Sequence, residues 1–175
     1  MKMDSGLDTG NILLKRTCEI EEKDTATSLQ EKLAKIGAEA ISDALNLLEK
    51  GKLNSIAQDN ELATYAAKIT KEEAKINWQL NSKEIERHIR SYNPVPGASS
   101  IINGTKVKIW QSSLTEEGAG LPGEVIEVQK KALKIACGKG ALQIEILQKP
   151  NAKALPVDQF LQGFMIKAGD RFETS

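Results

Sequence analysis

The sequence is poor in the residues from which metal sites and disulfides are built. Its 175 residues include one histidine and two cysteines. Cys18 and Cys137 lie far apart, neither belongs to a C-x-x-C pair, and a single histidine cannot form a Cys/His cluster. We therefore expect two free thiols and no bound metal.

Long apolar runs, aromatic residues and net charge are scarce as well. No apolar run approaches the roughly 18 residues that a membrane span needs, and no apolar segment follows Met1–Asp4. We therefore expect a cytoplasmic protein without a signal peptide or a membrane partner. An aromatic share of 4% makes base stacking on single strands a poor fit. The 24 basic residues balance the 24 acidic ones, which permits a polyanionic partner without demanding one.

One short segment near the start carries a candidate catalytic group. Gly6 and Gly10 bracket Asp8, and the apolar residues 12–14 follow directly. Two glycines allow a tight turn, and a turn next to a strand can hold a carboxylate at a sheet edge, where active-site groups are often carried. On spacing alone, an ordinary loop is the more frequent explanation.

A strand and a long helix are predicted after this loop. Residues 11–20 alternate imperfectly between apolar and polar side chains, and residues 25–50 carry apolar side chains at helical spacing. Asp24 or Thr25 can cap the helix, and Gly51 can end it. One strand cannot cover the apolar stripe of this helix. We therefore expect residues 1–50 to pack poorly in this chain, or the apolar face of residues 25–50 to self-associate.

The second half of the chain predicts a short helix followed by a small barrel. Thr70 and Glu73 have capping-box spacing, and a helix is expected over 81–91, ended by two prolines. From Ser99 onward the apolar period is two, and Asn103-Gly104 is a strong hairpin signal. Five short strands and a short helix over 156–162 predict an OB-like β-barrel.

Three segments of the chain resemble the folate-dependent formyltransferases, and within them the branch that formylates methionyl-tRNA. Residues 1–13, with L-D-T-G at their centre, resemble that family's last active-site loop. Residues 65–78 resemble its interdomain linker, which reads A-x-K-I-x-K-E-E-A-x-I-x-W. Residues 93–98 resemble its N-P-W-P-G-A corner, although Val95 replaces the usual aromatic. The resemblance extends over residues 1–172.

The resemblance implies an α+β chain in three parts. A remnant strand and helix of an α/β, Rossmann-like formyltransferase domain would occupy residues 1–58. A linker and helix would follow over 59–98, and the OB-like β-barrel would occupy 99–175.

The resemblance also implies an activity and a role for Asp8. The family transfers a formyl group from 10-formyltetrahydrofolate to initiator methionyl-tRNA in translation initiation. Asp8 matches the aspartate that completes a catalytic trio with an Asn and a His of an N-x-H-P segment. These 175 residues contain no such segment. We therefore expect the isolated chain to be inactive, with most of the folate site outside it.

Two further hypotheses remain open at this stage. In the first, the chain is a binding module that grips tRNA without chemistry of its own, through the basic residues Lys68, Lys71, Arg87, Arg90, Lys106 and Lys108. Outward basic residues are more often merely solvated, and a lone helical histidine such as His88 is more often a packing or surface residue than a catalyst. In the second, the chain belongs to a related folate-dependent formyltransferase or hydrolase that acts on a small molecule.

Overall fold

The computed structural model describes residues 1–115 and 118–174. The chain divides into two units, Met1–Lys68 and Ile69–Ser175, which are described separately. The predicted three-part division at residues 58 and 98 stays a prediction.

The first unit is dominated by one helix, α1, at Ala26–Glu49. Thr25 caps it, because the Thr25 hydroxyl accepts from the Ser28 N–H and the Ser28 hydroxyl accepts from the Thr25 N–H. Gly51 follows the helix with a φ of 61°. The predicted helix and both of its boundary signals are therefore confirmed. A 3-10 helix at Asn60–Leu62 lies near the end of this unit.

The strand predicted over residues 11–20 is wrong. Only Ile12 pairs, in an isolated antiparallel bridge with Ile56 whose two hydrogen bonds are 2.8 and 2.9 Å long. A strand is stable only beside another strand, and within the described part of this unit residues 13–20 have no ladder partner. None of the residues of α1 is buried, and Ile41, Leu45 and Leu48 are more than half exposed.

The second unit begins with a turn and a helix that close over a sheet. The Thr70–Glu73 capping box forms, and residues 71–74 make a turn. Helix α2 runs over Ser82–Ser91, with Asn81 and Glu84 in a second capping box. Ile85 and Ile89 are fully buried, so the predicted apolar side of α2 faces the core.

Seven antiparallel strands form one curved sheet. They are β1 Ser99–Ile102, β2 Thr105–Thr115, β3 Val125–Gln129, β4 Ala132–Ala136, β5 Ala141–Gln148, β6 Leu155–Pro156 and β7 Glu173–Thr174. The order is β3-β4-β5-β2-β1-β7, with β6 paired to β5. Helix α3, Val157–Gln162, follows β6 and confirms the predicted short helix.

The two ends of this sheet are joined through the segment before β7. The N–H of Val125 donates to the Asp170 carbonyl at 2.8 Å, and the N–H of Phe172 donates to the Gly123 carbonyl at 2.7 Å. Since β7 also pairs with β1, the sheet curls into a barrel. The α+β fold class, with its OB-like barrel, is thus confirmed.

The hairpin between β1 and β2 is the turn that the sequence predicts. Asn103 and Gly104 have φ values of 49° and 69°, and Ile102 pairs with Thr105. Two consecutive positive φ angles define a type I′ turn, whose twist matches that of the flanking strands.

The barrel is filled by apolar side chains from the strands and from both helices. Fully buried members include Ile102, Ile109, Leu133, Ile135, Leu142, Ile144, Leu147, Phe160 and Phe172. Each such side chain contributes roughly 1.5–3 kcal/mol through burial.

Candidate functional site

The Asp8 carboxylate is carried on an exposed loop whose backbone is closely constrained. Asp8 itself has a φ of 57°, an uncommon conformation for a residue with a side chain. The N–H of Lys2 donates to the Asn11 carbonyl at 2.8 Å and closes the loop. Gly10 is buried, and a Cβ atom there would lie 1.7 Å from the Lys2 carbonyl oxygen. Only glycine therefore fits at position 10.

A second segment, residues 55–58, lies against the same loop. The Asn11 amide donates to the Ser55 hydroxyl at 3.4 Å, and Ile12 and Ile56 form the bridge described above. The Gln58 amide donates to the Asp8 and Gly10 carbonyls, each at 2.7 Å. The loop is thus held from residues about 50 positions downstream.

Four of the six predicted tRNA-binding residues are exposed. Lys68 belongs to the first unit, and Lys71, Arg87 and Lys106 belong to the second. Glu72 reports on the surroundings of Lys106. Its pKa is lowered mainly by a hydrogen-bonded ion pair with Lys75 and further by the charge of Lys106. Lys106 therefore lies near the ion pair that Lys75 and Glu72 form.

The other two predicted residues are engaged within the second unit. Lys108 Nζ donates to the Pro96 carbonyl at 2.8 Å and lies 5.3 Å from the centre of the Trp110 ring. Arg90 Nε pairs with Glu86 Oε1 at 2.6 Å, and less than a fifth of either side chain is exposed. Simple solvation, the commoner use of such residues, does not describe either of them.

His88 is placed for packing. Its Nε2 atom is buried and has no hydrogen-bond partner among the described residues, and its ring lies 4.6 Å from that of Tyr92. Burial lowers the pKa of His88, and a hydrogen bond to the Ala74 carbonyl partly opposes that shift. A neutral imidazole in this setting stabilises the contact between α2 and the turn at Ala74.

The thiol of Cys137 is similarly inert, because burial raises its pKa to about 12. Within residues 1–115 and 118–174, no three His, Cys, Asp or Glu side chains come together as a metal site would require. In the same residues, no helix has the length and apolar character to cross a membrane.

Comparison with known protein families decides the family. A family model described as formyl transferase, C-terminal domain, matches residues 68–165, and a second one, formyl transferase, matches residues 1–45. The chain belongs to the formyl transferase family. The first match covers α2 and most of the barrel, and the second covers the Asp8 loop and most of α1.

Curated relatives in this family match nearly the whole chain. The methionyl-tRNA formyltransferase of Nitrosospira multiformis is 43% identical over 175 residues, which are 99% of this chain and 56% of that protein. That of Herminiimonas arsenicoxydans is 46% identical, over 99% of this chain and 55% of that protein. The chain therefore spans about half the length of these relatives.

A solved structure in the family has the same fold. The N-formyltransferase of Helicobacter canadensis, in complex with folinic acid and dTDP-3-aminofucose, is 27% identical. The structural alignment covers 84% of this chain and 53% of the Helicobacter canadensis chain, with a TM-score of 0.63.

Two features of the site escape prediction from the sequence. Gln58 stands in a polar connector without periodicity, so no pattern links it to a loop 50 positions earlier. The contact between Lys108 and Pro96 depends on where the two-proline corner folds back, which strand alternation does not show. The catalytic role of Asp8 stays a prediction.

Proposed function

We propose that this chain contributes the Asp8 loop and the C-terminal domain of an enzyme that formylates initiator methionyl-tRNA. The supporting observation is the identity of 43–46% to relatives named methionyl-tRNA formyltransferase over 99% of this chain. The formyl group would come from 10-formyltetrahydrofolate and be transferred to the methionyl amino group.

In this proposal Asp8 acts on the attacking amine. The exposed carboxylate accepts hydrogen bonds, so it can orient an N–H group and help the amine to lose its proton. The Asn and His that the family adds to this aspartate are not supplied by these 175 residues. Their single histidine is His88, which is packed in the other unit. A polypeptide of these residues alone is therefore expected to have no formyl-transfer activity.

A reduced, formylated folate fits the proposal as donor. The solved structure from Helicobacter canadensis contains folinic acid, which is itself a formylated folate. An exposed hydrogen-bond acceptor such as Asp8 suits the N–H groups of a pterin or of an acceptor amine. When bound, the folate supplies the formyl group.

For tRNA, the structure supports an uneven contribution from the six predicted residues. Lys68, Lys71, Arg87 and Lys106 are exposed, so they can reach phosphates at little internal cost. Lys108 and Arg90 would first have to leave the Pro96 carbonyl and the Glu86 carboxylate. We therefore expect these two residues to contribute more to stability than to tRNA affinity.

The experiment is a titration of the chain with initiator methionyl-tRNA at two salt concentrations. An elongator tRNA and a duplex RNA serve as competitors. Each phosphate contact that is lost lowers the log–log salt slope by about 0.9. A Lys68→Ala/Lys71→Ala variant should flatten the slope, whereas Lys153→Ala, an exposed lysine outside the set, should not. Equal slopes for both variants would show that Lys68 and Lys71 of the linker do not contact the tRNA.

A second candidate is an amino-sugar nucleotide as acceptor, because the Helicobacter canadensis structure contains dTDP-3-aminofucose. Its lower identity of 27%, against 43–46% for the methionyl-tRNA relatives, places it second. If the chain fails to bind tRNA at either salt concentration but binds an amino-sugar nucleotide, the order of the two candidates is reversed.

A further inference from the structure

The side chain of Gln58 makes an unusual two-point contact with the loop that carries Asp8. Its Nε2 atom lies 2.7 Å from the Asp8 carbonyl oxygen and 2.7 Å from the Gly10 carbonyl oxygen. Both acceptors are backbone oxygens, so only the NH2 end of the amide can face them. The orientation of this carboxamide is therefore fixed by chemistry.

These two bonds span the residue whose backbone needs support. Asp8 adopts a φ of 57°, and one Gln58 bond is made to Asp8 itself while the other is made two residues later. A left-handed conformation is unfavourable for a residue with a side chain relative to ordinary backbone. The Gln58 amide offsets part of that cost, because it satisfies two carbonyls that only this loop shape brings together.

We propose that Gln58 is a positioning residue, which fixes the direction in which the Asp8 carboxylate projects. This inference rests on the proposed role of Asp8 in formyl transfer. Gln58 is half-buried at the end of the Ile12–Ile56 bridge, so its own backbone is anchored close to the loop. It touches the backbone of Asp8 and leaves the carboxylate open to a substrate.

Replacement of Gln58 can remove this contact with little change in shape. Gln58→Glu keeps the length but turns a carboxylate oxygen toward two carbonyl oxygens, so both bonds are lost and replaced by repulsion. Gln30 provides a matched control, because it is an exposed glutamine in α1 of the same unit. Gln30→Glu adds the same charge without touching the loop.

The first arm of the test examines the geometry alone, by NMR on the complete 175-residue chain. The Gln58 side-chain amide protons should be shifted downfield and protected from exchange with water. Gln58→Glu should move the backbone resonances of residues 8–10 and increase their disorder, whereas Gln30→Glu should leave them in place. Unprotected Gln58 amide protons, or equal effects of the two variants, would overturn the inference.

The second arm examines function in a longer protein. Residues 1–175 are joined, in natural order, to the part of the Nitrosospira multiformis relative that they do not match. Misplacement of a reacting group by about 1 Å costs on the order of 100-fold in rate. Gln58→Glu should therefore lower kcat about 10- to 100-fold with KM for both substrates nearly unchanged. A purely structural defect would instead lower the amount of active enzyme and leave kcat per active site unchanged.

A double variant separates the positioning role of Gln58 from the proposed catalytic role of Asp8. If Gln58 acts through Asp8, then Gln58→Glu should have little further effect on kcat once Asp8→Asn is present. Additive losses would overturn the positioning role. Full activity of Asp8→Asn alone, with the NMR contact intact, would instead refute the proposed role of Asp8 while leaving the Gln58 contact established.

Discussion

The indole Nε1–H of Trp78 donates a hydrogen bond of 3.0 Å to the hydroxyl oxygen of Ser100, and that hydroxyl donates in turn to the Glu173 carbonyl at 2.6 Å. Trp78 is 3% exposed and Ser100 is fully buried. This relay joins the segment before α2, strand β1 and strand β7. It therefore links the two ends of the second unit.

Removal of the Ser100 hydroxyl should destabilise the barrel. Ser100→Ala leaves the buried indole N–H without an acceptor, which costs about 1–3 kcal/mol in the free energy of unfolding. Ser112 is the matched control, because its buried hydroxyl has no partner among the described residues. Ser112→Ala should be neutral or slightly stabilising. Urea unfolding followed by tryptophan fluorescence measures both, and equal losses would contradict the relay.

The stability of the second unit should depend on the protonation of His88. Burial lowers the pKa of His88 below its ordinary value of 6.5 in the folded state. The unfolded chain then binds the proton more readily, so stability is complete above 6.5 and falls as the pH drops below that value. His88→Gln should flatten this dependence. The test is the urea midpoint of the wild type and of His88→Gln between pH 8 and pH 5, again read from tryptophan fluorescence. If the midpoints of the two proteins change with pH in parallel, the prediction is wrong.

Helix α1 should depend on the carboxylate of Asp24. This group accepts from the Glu21 N–H, from the Ser28 hydroxyl and from Lys32, at 2.8–2.9 Å, which lowers its pKa to about 2. A lowered pKa means that the stabilisation is present above the ordinary 3.8 and is lost as the pH falls toward 2.

Circular dichroism at 222 nm measures this effect. Asp24→Asn should reduce helicity at neutral pH. The variant should also lack most of the further fall in helicity that the wild type shows between pH 4 and pH 2. The control is Asp43→Asn, since Asp43 pairs with Arg16 at the surface, where both side chains are about half exposed. If Asp43→Asn lowers helicity as much as Asp24→Asn does, the Asp24 network is not the cause.

The exposed face of α1 should promote association between copies of the chain. Ile41, Leu45 and Leu48 are 57–60% exposed. Ile41→Glu places a charge on this face and should shift the protein toward monomer in sedimentation velocity. Ser42→Glu, one position away on the polar side, should not. A wild-type protein that is strictly monomeric, with amide protection in α1 equal to that in the barrel, would refute the prediction.

Much of the fold could be predicted from the sequence, because helix caps, turns and strand alternation each depend on only a few neighbouring residues. The caps at Thr25 and Asn81 and the turn at Asn103-Gly104 each depend on side-chain and backbone chemistry within one turn of chain. Alternation of period two likewise predicted the barrel strands. Less of the candidate site could be predicted, since only Asp8 and its two flanking glycines lie within one short segment of the sequence.

By itself, the sequence determined the helix ends, the hairpin and the apolar face of each strand, because those features follow from spacing and from the properties of single residues. The tertiary structure alone decided that residues 13–20 form no strand, since pairing needs a neighbour that spacing cannot supply. It also decided that Lys108 turns to the Pro96 carbonyl and that Gln58 holds the Asp8 loop. Contacts between residues distant in sequence are set by where the backbone brings donors and acceptors together, and no local pattern encodes that meeting.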